Sequence, residues 1–384
     1  MQISLRSHSF MHKFAFSMAV LAAVSMVGCN NKPAGDADSG AAASSGGKKR
    51  IMFLTNGDDP FWDTCRAGMD KAAEELKIGD AGFTHAMDKG SEFKVEKQIS
   101  KLDQYATQTD IAGVAISPVD AGNRRLAKAM QRLRDKGVEV ICVDSDMDRS
   151  KFRESRFAYL GTDNEVGGQE LGKAAKALLP EGGTFATFVG IKTVKNAIDR
   201  IGGFSEGAGE GFENLDDKAD EGDRNRAQEN VKAVLNKHAD IDALVGIWSY
   251  NAHAIVKVAE DRELIGKTKI VCFDAATQAL TDMEQGKIDA LVVQNPYQMG
   301  KLAVQLLKAI AEEDHDTIKT IYPAYDPVAQ KFTGENGDVL NTELRVVVPN
   351  ADSPVKAELF REDTKFFIYE DFKKWLNERR LNNS

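Results

Sequence analysis

The sequence predicts an α/β protein built as two doubly wound, parallel-sheet lobes. Three observations carry this. Short β-rich apolar runs alternate with longer segments of helical period from Lys49 onward, the pattern of parallel strands covered by helices on both faces. Nine such runs can be counted, and two sheets of ordinary size accommodate them better than one. The chain has 384 residues, enough for two domains.

In order, the strand runs are 50–55 (RIMFLT), 82–86, 111–116 (IAGVAI), 138–143 (VEVICV), 157–160, 184–189 (TFATFV), 243–247 (ALVGI), 269–273 (KIVCF) and 290–293 (ALVV). Each is short, apolar and rich in β-branched or aromatic residues. Between them the period changes to that of helices over 61–76, 93–106, 124–136, 166–178, 197–209, 225–236, 251–261 and 298–311. The end differs. Residues 345–349 (RVVVP) read as a further strand, followed by a loop with Pro354 and a short amphipathic helix over 369–380. Residues 350–384 are taken as a docked C-terminal tail.

The first 28 residues read as a signal peptide, with Arg6 and Lys13 as its basic region. The apolar run 14–28 (FAFSMAVLAAVSMVG) is shorter than the ~20 residues a spanning helix needs. Cys29 follows in the context Met26-Val27-Gly28-Cys29, which resembles a bacterial lipobox with methionine at its first position. This marks Cys29 for lipidation. Residues 30–49 are small, polar and rich in Gly, Ala and Ser, so they read as a flexible tether. The expectation is a module in the periplasm or cell envelope, touching the membrane through its lipid anchor only.

Composition excludes several classes. Lys and Arg number 50 against 59 Asp and Glu, a net charge of −9, which argues against a nucleic-acid partner. Four cysteines are too few for a disulfide scaffold. Cys142 and Cys272 fall in strand runs, where cysteine acts as a small hydrophobe. No phosphate loop is present, and the glycine-rich stretch 202–211 reads as a closely packed helix. His85, His238, His253 and His315 show no metal-ligand spacing, and no nucleophile motif occurs. No cofactor, no metal and no enzymatic activity are expected.

Ligands of open α/β sheets bind beyond the carboxyl ends of the strands. Here those ends carry Asp59-Pro60-Phe61-Trp62, Asp144-Ser145-Asp146, Trp248-Ser249-Tyr250, Asp274 and Gln294. Phe61 and Trp62 are adjacent at a helix start, so one of them faces away from the core unless both pack there. Flat aromatic rings suit the C–H faces of a sugar. Asp144, Arg200, Asp274 and Gln294 supply orienting hydrogen bonds. Asp144 and Asp146 suit either acid–base work or acceptance from sugar hydroxyls.

Residues 50–323 resemble the type I periplasmic sugar-binding proteins, within them the ribose-binding branch. The resemblance rests on DPFW at 59–62, ISPVDAGN at 116–123, VICVDSD at 140–146, GTDNEVGGQELG at 161–172, NAIDRIGGF at 196–204, IVCFDA at 270–275 and VVQNPYQMG at 292–300. It implies two lobes joined by a three-crossover hinge that closes on one sugar. The crossovers would fall near 161–163, 294–296 and 322–326, giving lobes of 50–161 plus 297–323 and 162–296 plus 324–349. It puts the family's stacking aromatics on Phe61 and Trp62, the preceding polar position on Asp59 and the first-lobe acid on Asp144. Arg200, Asp274 and the hinge glutamine Gln294 follow in the second lobe. The sequence departs from the branch at Ser145 and Asp59. The second-lobe aromatic position falls near 222–223, and Trp248 stands ready to replace it. The implied role is a monomeric receptor that delivers a small sugar, a pentose or hexose, to an ABC permease. The alternative is a ligand sensor for a signalling receptor or kinase.

Overall fold

The computed structural model describes residues 47–90 and 92–384; the signal peptide, Cys29 and most of the tether lie outside the described residues. The strands in chain order are β1 (Lys49–Leu54), β2 (Phe83–Asp88), β3 (Ile111–Ile116), β4 (Glu139–Val143) and β5 (Tyr159–Gly161). Then come β6 (Gly183–Val189), β7 (Phe212–Ala219), β8 (Ala243–Gly246), β9 (Lys269–Phe273) and β10 (Ala290–Val293). The remainder are β11 (Tyr325–Asp326), β12 (Lys331–Phe332), β13 (Val339–Asn341), β14 (Arg345–Val348) and β15 (Lys365–Ile368).

The first sheet has the order β13-β5-β4-β3-β1-β2 and the second β15-β14-β10-β9-β8-β6-β7, while β11 and β12 form a small hairpin. The first sheet is parallel throughout. In the second, the β10–β14 pair alone is antiparallel. Apolar cores lie on both faces of each sheet, which is why β3 and β4 read as unbroken apolar runs. The helices Phe61–Glu75 and Pro296–Ala311 cover one face of the first sheet.

The glycine-rich helix Lys195–Ala208 packs on helix Asn164–Leu178 at backbone contact distance. A Cβ on Gly203 would stand 2.2 Å from the Glu165 carbonyl oxygen, and one on Gly168 2.4 Å from that of Arg200. The glycines therefore permit the approach that fixes the Arg200 backbone.

The chain passes between the sheets after β5, after β10 and after β13. The first passage follows Gly161 and the second follows Val293. The third runs through Thr342–Glu343–Leu344, not 322–326. Val339–Asn341 pairs in parallel with Tyr159–Gly161, so 324–341 joins the first lobe. Asp338 secures it: its carboxylate accepts from Arg149 (3.0 Å), from Arg153 (3.0 and 3.1 Å) and from buried Arg156. Residues 350–384 are also more than an appended tail. β15 extends the second sheet beside β14, and helix Tyr369–Glu378 packs into the same lobe.

Candidate functional site

β1, β2 and β4 of the first sheet and β6, β8, β9 and β10 of the second are followed by residues that line one cavity between the lobes. It is a narrow space, with a cavity volume of about 40 Å³. Asp59, Phe61, Trp62, Asp144, Arg200, Trp248, Asp274 and Gln294, all eight singled out from the sequence, line it. Asn56, Phe93, Asn196 and Ser249 also line it and were not singled out.

The aromatic pair opens the first helix. Asp59 Oδ1 accepts the Phe61 N–H at 2.8 Å, which orients the turn after β1. The Phe61 and Trp62 rings meet edge to face, centroids 4.9 Å apart, and Trp62 rests on Phe53 of β1. The pair belongs to the core cluster and to the cavity wall at once. Opposite, Trp248 follows β8. Its indole N–H donates to Asn196 Oδ1 at 3.1 Å, and its ring meets Phe93 of the other lobe at a 31° tilt, centroids 5.4 Å apart. Room for that ring comes from Gly190, where a Cβ would sit 2.0 Å from it.

Asp144 follows β4 and Asp274 follows β9, and both adopt left-handed backbone, φ 66° and 68°. Asp144 Oδ2 accepts from Ser117 (3.0 Å) in its own lobe and from Asn196 (3.1 Å) across the cleft. Asp274 Oδ1 accepts the Gln294 amide N–H at 2.9 Å, and Gln294 Oε1 accepts from Thr162 at 2.8 Å. Thr162 and Gln294 stand on the first two passages between the sheets, so this bond ties the hinge to the acid.

Arg200 lies between the acids, 3.8 Å from Asp144 and 3.9 Å from Asp274. Its guanidinium donates to Asn164 Oδ1 (2.9 Å) and the Ile247 carbonyl (3.1 Å) and lies 4.4 Å over the Phe273 ring. Its Nη2 is buried without a partner. Burial raises the Asp59, Asp144 and Asp274 carboxyls, the last to about 7, and Arg200 pulls Asp144 and Asp274 back.

Asp146 takes no part. It pairs with Arg156 at 2.6 Å, away from the cavity, so the Asp144–Asp146 pair does not act as a unit. Phe93 was hidden because it precedes its helix in a polar loop. Asn196 and Ser249 were hidden because single Asn and Ser residues carry no pattern. Ser249 Oγ donates to Asp59 Oδ1 at 2.6 Å, another bond between the lobes. Among the described residues, no group of three or more His, Cys, Asp or Glu is placed to hold a metal ion.

Two sheets of matching strand order, with a small polar and aromatic chamber between their carboxyl ends, define a two-lobed binding protein. Residues 51–315 match the periplasmic binding protein domain family, and the chain belongs to it. It is 23% identical over 267 residues to the ribose import binding protein RbsB of Bacillus subtilis, covering 68% of this chain and 82% of the relative. It is 22% identical over 262 residues to the D-allose-binding periplasmic protein of Escherichia coli, covering 67% and 82%. An ABC transporter solute binding protein from Burkholderia graminis, solved with D-arabinose, has the same fold: TM-score 0.66 at 23% identity, covering 79% of this chain and 96% of that one. The family is one of binding proteins, not of enzymes.

Proposed function

We propose that the protein is an extracytoplasmic receptor that captures a small sugar between its lobes and hands it to an ABC-type permease. The observation that carries this reading is the chamber between the lobes, walled by aromatic rings, by Asp59 and by two carboxylates that flank one guanidinium. Rings from both lobes suit the apolar faces of a pyranose or furanose. Asp144, Asp274 and the unpartnered Arg200 Nη2 suit its hydroxyls. Relatives named for ribose and D-allose support the same class.

Closure follows from where these groups stand. Phe61, Trp62 and Asp144 belong to one lobe, Arg200, Trp248 and Asp274 to the other. A sugar gains its full set of contacts only when the lobes meet, so it shifts the population to the closed form. The lipidated Cys29 would hold the module at the membrane. A Cys29→Ser variant is expected to move the protein from the membrane to the soluble fraction.

The test is thermal melting of protein unfolded and refolded to strip bound solute, against pentoses, hexoses and polyols that include D-ribose, D-allose and D-arabinose. A sugar at 100 times its dissociation constant adds about 2.7 kcal/mol, which is readily seen. One strong response, lost in Arg200→Ala, is expected. Silence from every sugar in well-folded protein would overturn the reading.

A further inference from the structure

The segment after the last helix returns to the back of the cleft. Leu381 is buried in the second-lobe core. Ser384 is 3% exposed and exchanges two backbone hydrogen bonds with Ala275, at 2.9 and 3.2 Å. Its hydroxyl donates to the Gln294 carbonyl at 3.0 Å, which also accepts from Arg345 at 3.0 Å. Residues 381–384 are thus fixed to the second lobe, behind Asp274 and Gln294.

Asn383 reaches across. Its Nδ2 donates to the Pro60 carbonyl at 3.2 Å. The Thr64 hydroxyl donates to Asn383 Oδ1 and lies 3.2 Å from its backbone carbonyl oxygen. Pro60 and Thr64 flank Phe61 and Trp62 in the first turn of the first-lobe helix. One short segment therefore contacts the backbone of cavity-lining Gln294 in the second lobe and, in the first, the residues that flank Phe61 and Trp62. Thr64 is buried, 2% exposed, so its bond is shielded from water.

We infer that Asn383 is an interlobe latch: it bonds the Pro60–Thr64 turn in the closed form and so slows release of a sugar held in the cleft. Opening rotates the lobes about the three passages, and the Asn383 bonds are among those that must break. Hydrogen bonds to water replace them in the open form, so each contributes modestly, and together they bias the equilibrium without locking it. The inference rests on the receptor reading for its sugar but not for its geometry.

Two measurements test it. Spin labels on Lys128→Cys and Lys232→Cys, both exposed and in different lobes, report interlobe distances; the native Cys65, Cys142 and Cys272 are buried. Stopped-flow kinetics with D-ribose, D-allose and D-arabinose report association and dissociation. Asn383→Ala is expected to reduce the closed population and raise the dissociation rate on the order of tenfold, with association unchanged. Thr64→Ala is expected to match it, Thr64→Ser to restore wild-type behaviour, and Asn382→Ala to change nothing. Distances and dissociation in Asn383→Ala equal to wild type would overturn the latch. If none of the three sugars binds any variant, the receptor reading suffers. The sugar-free distances then decide the latch alone: a smaller closed population in Asn383→Ala supports it, and an unchanged one overturns it.

Discussion

Replacing Asp274 by Asn tests whether the cavity is dry and closed without a sugar. The Asp274 carboxyl is fully enclosed and is raised from 3.8 to about 7, first by burial, while Arg200 and the Gln294 amide oppose the rise. The folded protein holds this proton more tightly than the unfolded chain does. The resulting stability is fully present below pH 4 and is lost as pH climbs through about 7. From pH 5 to pH 8 most of the loss falls in the first two pH units, so the ionisation costs the fold roughly 2.5 kcal/mol at about 1.4 kcal/mol per unit. Asn keeps the shape, and its carbonyl oxygen still accepts from Gln294, but it does not ionise. Urea unfolding of sugar-free protein at both pH values gives the comparison. The wild type should lose roughly 2.5 kcal/mol more than Asp274→Asn between them. Parallel losses would refute the reasoning, because they would mean that Asp274 stands in water and the lobes are apart.

Three further outcomes are expected. Asp338→Asn removes one of the two carboxylates that meet buried Arg156, Asp146 remaining, and should destabilise the protein by about 1–3 kcal/mol in urea unfolding. Asp338 is held down at about 2 by its arginines, so the wild type should also lose more stability than the variant as pH falls from 4 through 2. Gly190→Ala drives a methyl group into the Trp248 ring and should lower stability by about 1–3 kcal/mol, with a changed tryptophan emission spectrum. Asn196→Ala deprives both Asp144 and the Trp248 indole of a partner and should weaken sugar binding by about 10- to 100-fold in titration calorimetry.

The strands most plainly legible in the sequence are those buried on both faces, although the edge strand β2 was also read, over 82–86. β3, β4, β8, β9 and β10 are unbroken apolar runs because helices cover them on each side. β7 (FENLDDKA) was missed because it is an edge strand, half exposed along its length, and has no need of an apolar run. β13 was missed for a different reason. It has three residues, and what holds it is the Asp338–arginine cluster, whose members lie some 180 residues apart. Ion pairs between distant residues leave no periodicity. The misplaced third crossover follows from that one omission. The site was more legible than the lobe boundary because its residues follow strand ends directly, where chain order alone brings them to the cleft.

The two lobes repeat one another closely enough to explain how the site works. In sheet order β4 occupies in the first lobe the place β9 occupies in the second, and each is followed at once by an aspartate in left-handed backbone, φ 66° and 68°. A non-glycine residue in that conformation costs about 1 kcal/mol, and aspartate tolerates it better than most. The turn aims both carboxylates out of their strands toward the opposite lobe. Two such acids facing each other across a dry cleft would repel. Arg200, within 3.9 Å of both, offsets that repulsion, and only the second lobe supplies it. The symmetry therefore sets the two acids, and the single guanidinium breaks it. Arg200 of one lobe lies 3.8 Å from Asp144 of the other, so the charge that would meet a ligand's hydroxyls on the proposed reading is also a charge that draws the lobes together.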